Sequence, residues 1–198
     1  MGISDSCFLF AREPLIATAR KVNGQRRTVT TLHPLSFVAP EAIEALLDAA
    51  FGADRHGRTA YAVRAGTEPV AELSFVCLDN QQLVGSLQSW PVSLTTPDDR
   101  ILSLVMVGPV AVDPEHQSRG IGKHMTRIVA QRLDLASRSA MMIGDPEYYE
   151  AFGFLSGPAS GWTLPGPVEP ERILLRAARE SDWPKDGNLG PELLRSDN

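Results

Sequence analysis

Val107-Gly108-Pro109-Val110-Ala111-Val112-Asp113-Pro114-Glu115-His116-Gln117-Ser118-Arg119-Gly120-Ile121-Gly122-Lys123 decides how the rest of the chain is read. Its apolar first part continues Ile101-Leu102-Ser103-Leu104-Val105-Met106, so 101–112 reads as one strand. Near-continuous hydrophobicity implies burial on both faces, hence a central place in a sheet. Gly108-Pro109 fits no regular ladder, so a bulge or splay is expected there. A short turn follows, and helical spacing then begins: Ile121, Met125, Ile128, Val129, Leu133 and Ala136 share one face. The spacing predicts a helix over 122–136.

A helix start leaves N–H groups without internal partners and carries partial positive charge. Gly120 and Gly122 allow close backbone approach, and Arg119 and Lys123 add full charges. A phosphate or pyrophosphate suits such a place. The same glycines also suit a tight strand-to-helix connection with no ligand. Neither the Walker A pattern nor the three-glycine dinucleotide fingerprint is present.

Upstream, Thr28–Leu32 reads as a first strand, and Pro40 opens a helix with Ile43, Leu46, Leu47 and Ala50 on its apolar face. Phe51–Thr59 is a polar loop carrying Asp54, Arg55, His56 and Arg58, either a binding loop or a solvated one. Val70–Leu78 and Leu83–Trp90 form a hairpin around Asp79-Asn80-Gln81, with Pro91 ending the pairing. Downstream, Met141-Met142-Ile143 is a short buried strand. Pro146–Phe152 starts another helix, closed by Gly153. Arg172–Arg176 is the expected final strand. Residues 1–27 read as a loosely attached extension and 179–198 as a polar tail, poorly ordered unless it docks. The domain proper is 28–178. This order predicts an α/β fold of the α+β kind: a mainly antiparallel sheet with one strand–helix–strand crossover.

The composition is that of a single globular domain: 198 residues, 43% hydrophobic and 22% charged. A net charge of −5 argues against nucleic acid as a partner. Cys7, Cys77 and the four histidines show no metal-ligand spacing, so no metal is expected. Cys77 reads as a small buried apolar residue. No apolar run has the length of a membrane span, and Cys7-Phe8-Leu9-Phe10 is broken by Arg12 and Glu13 before it could be a secretory signal. A cytoplasmic location without membrane attachment is expected.

Val112-Asp113-Pro114 followed by Gln117 to Gly122 resembles motif A of the GCN5-related N-acetyltransferase (GNAT) superfamily, Val-X-Pro and then Gln/Arg-X-X-Gly-X-Gly/Ala. Tyr149-Glu150-Ala151-Phe152-Gly153-Phe154 is similar to its motif B. A narrower resemblance is to the YhbS-like predicted acetyltransferases. It rests on Phe51-Gly52 with Arg55, Leu73-Ser74-Phe75-Val76, Val84-Gly85 with Trp90-Pro91, Gly108 to Val112, Gly144-Asp145 with Tyr148-Tyr149, and Leu164-Pro165-Gly166-Pro167.

The resemblance implies an acetyl-CoA-dependent N-acyltransferase with a sheet splayed between two parallel strands and flanked by helices. It implies that the backbone of Val110, Ala111 and Val112 pairs with the pantetheine arm. The amides of Ser118, Arg119, Gly120, Ile121, Gly122 and Lys123, after Gln117, would hold the pyrophosphate. Tyr149 would be the general acid, with Tyr148 as the alternative, and CoA would leave as product. The acceptor would be a primary amine on a small molecule or peptide. The family's usual glutamate base on the central strand is missing, because Ser103 is the only polar side chain in 101–107. His56, Glu72 or a water chain are the remaining bases, and Arg55, His56 and Trp90 are candidates to line the acceptor pocket. That gap keeps a noncatalytic acyl-CoA-binding module as the alternative. Exposed strands and Trp162 would allow a homodimer.

Overall fold

β4 (Ile101–Val112) has neighbours on both sides for only part of its length, and that asymmetry organises the molecule. The computed structural model describes residues 30–178 and 183–193. In chain order the other elements are β1 (Thr30–Pro34), α1 (Pro40–Phe51), α2 (Thr59–Val63), β2 (Phe75–Asp79), β3 (Gln82–Thr95), α3 (Ile121–Leu135), β5 (Ala140–Ile143), α4 (Pro146–Tyr149), β6 (Gly161–Thr163), β7 (Ile173–Arg176) and β8 (Asp186–Pro191). The sheet runs β1-β2-β3-β4-β5-β7, and β8 joins β3 beyond the end of β2. Among the described strands only β4–β5 and β6–β8 are parallel. The expected mixed sheet with one crossover, flanked by helices, is therefore the fold.

β3 covers one edge of β4 almost completely, from Thr95↔Ile101 to Gly85↔Val112. The register slips between Leu87 and Ser89, opposite the cis Gly108-Pro109 bond, so the interruption read from the sequence is a bulge. On the other edge β5 pairs only at Val105↔Ala140 and Met106↔Met141. Beyond those pairs the two strands separate.

Strand alternation sorts the core. Phe75 and Cys77 face α3, together with Met125, Val129 and Leu133. Val76 and Leu78 face Ile43, Leu46 and Leu47 of α1. A third cluster joins Val63, Leu104, Met106, Trp162 and Leu189. At Gly85 α3 packs closely on the sheet. A Cβ there would lie 3.0 Å from the Met125 methyl and 3.2 Å from Ile121, so a side chain would push the start of α3 outward.

Several expectations need correction. Pro91 does not end β3; the strand runs on to Thr95. The Pro91 carbonyl accepts from the Glu192 N–H, so its own nitrogen also points away from β4 and no bond of the β3–β4 ladder is lost. The hairpin's first arm is shorter than 70–78, because Ala71–Leu73 forms a 3₁₀ turn and β2 starts at Phe75. The loop after α1 is structured, as a 3₁₀ turn over Ala53–Gly57 followed by α2. β7 is not the last strand. Asp186–Pro191 docks as β8, pairing with β3 and β6 although its composition is polar. Backbone hydrogen bonds and one apolar anchor, the buried Leu189, hold it there. The first strand begins at Thr30 among the described residues and extends to Pro34. The expected extension, 1–27, lies outside the described residues. No helix of the described residues is long and apolar enough to cross a membrane.

Candidate active site

The separation of β4 from β5 opens a cavity of about 860 Å³. Met106 to Val110 form one wall and Met142 to Asp145 the other, with Tyr149 beside them and residues 57–61, Arg64 and 167–170 closing the far side. Its backbone wall has a definite polarity. The Asp113 N–H donates to Val84 on β3, at 3.0 Å. By alternation the amides of Val112 and Val110 point the other way, into the gap that β5 has left. The Val105 N–H donates to Ser139 and the Met106↔Met141 pair takes up the Val107 N–H, so the amides left open on that side begin past the bulge, at Val110.

That row of amides leads to the turn before α3. Ser118 and Gly120 take left-handed conformations, with φ of +61° and +80°. The first intrahelical bond runs from the His124 N–H to Gly120, at 2.9 Å. The amides of Ile121, Gly122 and Lys123 therefore have no acceptor within the helix. Gln117, Ser118, Arg119 and Gly120 are exposed, while the Ile121 side chain is buried and pins the turn to the sheet. Asp113 caps the preceding turn through the Glu115 N–H, and its hydrogen bond to His116 holds its carboxyl below the usual range. The Arg119 guanidinium lies 3.4 Å from the Asp79 carboxylate on the hairpin, which already partners its charge.

The two candidate tyrosines part company. Their rings meet edge to face at 4.7 Å, yet they line different spaces. Tyr149 lines the cavity. Its ring lies so close over Gly144 that a Cβ there would approach within 2.6 Å, which makes glycine obligatory for this placement. Burial, with smaller contributions from Tyr148 and Asp145, pushes the Tyr149 phenol up to about 12. Tyr148 lines a separate groove of about 460 Å³ with Lys123, Arg127 and Phe152. Its hydroxyl sits against the first turn of α3, 2.8 Å from where a Gly122 Cβ would be.

The acceptor-side candidates fare unevenly. Arg55 does line the cavity but is only 2% exposed and already paired. It bonds Glu44 at 2.5 Å and Asp48 at 2.7 Å, and donates to the Tyr61 hydroxyl. Burial opposes its charge, and these hydrogen bonds outweigh that, so its pKa stands above the ordinary arginine value. His56 is exposed and tilted against Tyr61, outside the cavity lining. Trp90 lies behind Arg64 rather than on the cavity. Glu72 is tied to Arg138, at 3.3 Å, and does not line the cavity. Ser103 bonds Glu192, a structural contact.

Residues that the sequence did not single out complete the site. Tyr61 comes from α2 and Arg64 caps its C-terminal end, and Asp145 and Glu169 are the carboxylates of the cavity lining. Arg172 lies 3.3 Å from Asp145 and 3.8 Å from Glu169. The signal that existed was arginine density, Arg55, Arg58 and Arg64 in one short stretch, with Tyr61 three residues before Arg64, at helical spacing.

The comparisons with known proteins agree on the fold. No curated protein matches the chain. Two similar solved structures are the GNAT family N-acetyltransferase YhbS from Escherichia coli in complex with CoA and a GNAT family acetyltransferase from Brucella melitensis in complex with acetyl-CoA. The first has a TM-score of 0.65 at 18% identity, over 86% of this chain and 93% of that one. The second has a TM-score of 0.58 at 22% identity, over 81% of this chain and 94% of that one. The family model described as acetyltransferase (GNAT) domain matches residues 39–156, from the start of α1 through motif B. Since that match spans more than half of the sequence and carries the cavity's backbone wall, the free-amide turn and Tyr149, the chain belongs to the GNAT acetyltransferase family.

Proposed function

We propose that the protein is an acetyl-CoA-dependent N-acyltransferase that moves an acetyl group directly to a primary amine. The observation that carries this reading is the continuity of one track. Free amides of α3, outward-facing amides of β4, the opening beside Gly108-Pro109 and the Tyr149 phenol follow each other in space.

The residues present fit the donor. Ser118 and Gly120 in left-handed conformations turn successive amides toward one point, and a Cβ built at Gly120 meets nothing within 4 Å. The amides from Ser118 to Lys123, with the Lys123 ammonium, would hold the pyrophosphate. Val110 and Val112 would pair with the pantetheine arm as an added strand would. When bound, the donor supplies an activated acyl thioester.

The chain's own groups do the rest. A β4 N–H left free beside the opening, past the last β4–β5 pair, can donate to the oxygen that gains charge during attack. The amine must arrive neutral. Asp145 and Glu169 on the cavity, directly or through water, are placed to take its proton. The new C–N bond forms, the C–S bond breaks, and Tyr149 gives its proton to the departing sulfur. A phenol held near 12 stays protonated at neutral pH and so remains able to donate.

A noncatalytic acyl-CoA-binding module is the second reading. It is favoured by the lack of a carboxylate on 101–107 and by the commitment of Asp145 and Glu169 to Arg172. Free CoA release from acetyl-CoA with a panel of amines separates the two. Amine-dependent release supports the enzyme, whereas tight CoA binding with release no faster than without protein overturns it.

A further inference from the structure

The far wall of the cavity is built from arginine. Arg55, Arg58, Arg64 and Arg172 all line it. Three of them are committed elsewhere. Arg55 holds Glu44 and Asp48, Arg172 holds Asp145 and Glu169, and Arg58 donates to the Phe51 carbonyl at 2.7 Å while lying over its ring.

Arg64 is different. It is 6% exposed, yet no carboxylate among the described residues pairs with it. Its guanidinium lies 4.0 Å from the centre of the Tyr61 ring and 4.3 Å from that of Trp90. Those faces attract a cation but accept no strong hydrogen bond from it. One N–H reaches the Gly108 carbonyl, at a long 3.4 Å. Burial pushes its pKa down. A guanidinium has five donors; the backbone takes one at that long distance, and the edge that lines the cavity leaves others open to it, where an anion can take them. The long contact to Gly108 also places this charge at the bulge where the acyl group would be passed on.

We infer that Arg64 is the anchor for the acceptor, and that the acceptor is a primary amine carrying a carboxylate, such as a free amino acid or a peptide end. The guanidinium edge left between the two rings presents a planar fork, which matches a carboxylate with two parallel hydrogen bonds. With the carboxylate held there, the amine would project toward the opening beside Gly108-Pro109. The apolar walls, Met106, Val110, Met142 and Ile143, would take the rest of the molecule. This inference rests on the proposed N-acyltransferase reading for its purpose, but binding tests it without turnover.

The test is equilibrium binding to the CoA-loaded protein, followed by calorimetry. The probes are N-acetylphenylalanine, its amide and phenethyl phosphate. The wild-type chain should bind the acid at least tenfold more tightly than the amide. Arg64→Gln should erase that ratio, and Arg64→Lys should keep only part of it, since it restores charge without the fork. Equal affinity for acid and amide, no detectable binding of the acid, or preference for the phosphate over the acid would overturn the inference. Where Arg64→Gln fails to fold, the acid-to-amide ratio in the wild type still decides. Amine-dependent CoA release judges the N-acyltransferase reading separately. Release with no preference for carboxylated amines would sink the anchor and leave the enzyme standing.

Discussion

The two ends of the cavity are built from different materials. At the α3 end the working groups are backbone amides, positioned by left-handed residues and by a strand that loses its neighbour. At the α2 end they are side chains, arginines against aromatic rings and carboxylates. The first end has the same geometry whatever its exposed side chains are. The second exists only when α1, α2, β3 and the segment 167–172 are all in place. On the proposed reading, a donor site made of backbone would suit a common cofactor, and an acceptor site made of side chains could be retuned by substitution.

The largest expected effect joins the ends. Tyr149→Phe removes one oxygen and keeps the ring over Gly144, so CoA affinity should change less than about twofold. Turnover should fall by about 10²–10⁴, the usual worth of a positioned general acid. Full turnover in steady-state assays of this variant would remove Tyr149 from the mechanism. The parallel Tyr148→Phe variant should affect CoA affinity more than turnover, because Tyr148 faces the groove at α3. With the Tyr149 phenol held near 12, its ionisation should not depress the rate below about pH 11.

The backbone end was readable because glycine spacing records backbone geometry directly. Gly120 sits at φ +80°, a conformation that glycine alone adopts freely, and Gly108-Pro109 marks the bulge. The side-chain end was not readable for a physical reason. Whether Arg55 is a solvated loop charge or a buried ion-pair hub depends on Glu44 and Asp48 from α1, which no local pattern reports. β8 was missed likewise: Asp186–Pro191 lacks strand propensity and is a strand because β3 offers it an open edge. β3 was cut short at Pro91 because the rule against proline in a strand cannot see which way the nitrogen faces.

Stability tests the side-chain end next. Glu44→Gln with Asp48→Asn would strand the buried Arg55 charge, and the double variant should lose about 3–5 kcal/mol in urea unfolding. Arg55→Met should cost less, because Glu44 and Asp48 are about half exposed and can return to water. If the order were reversed, Arg55 would be held by packing rather than by its charge partners.

Alkaline pH probes the core that both ends share. Burial pushes the Cys77 thiol from 9.0 up to about 11. Between those values the folded chain keeps a proton that the unfolded chain has lost, so stability falls as pH rises through that window. It is fully present below about pH 9. The loss attributable to this one group is about 3 kcal/mol. Cys77→Ala should lower stability at neutral pH and flatten the slope between pH 9 and 11. An unchanged slope in pH-dependent thermal melts would mean that other groups dominate.

The smallest effect is the most informative about the backbone end. Arg119 stands in the middle of motif A, and its charge would ordinarily be assigned to the pyrophosphate. Its guanidinium is half exposed and turned toward Asp79. An exposed charge near an anion at a helix start is worth about 0.3–1 kcal/mol. Arg119→Ala should therefore weaken CoA binding by no more than about fivefold, and added salt should shrink even that. A loss of a hundredfold would show that Arg119 leaves Asp79 to bind the donor directly, and that the α3 end depends on side chains as the α2 end does.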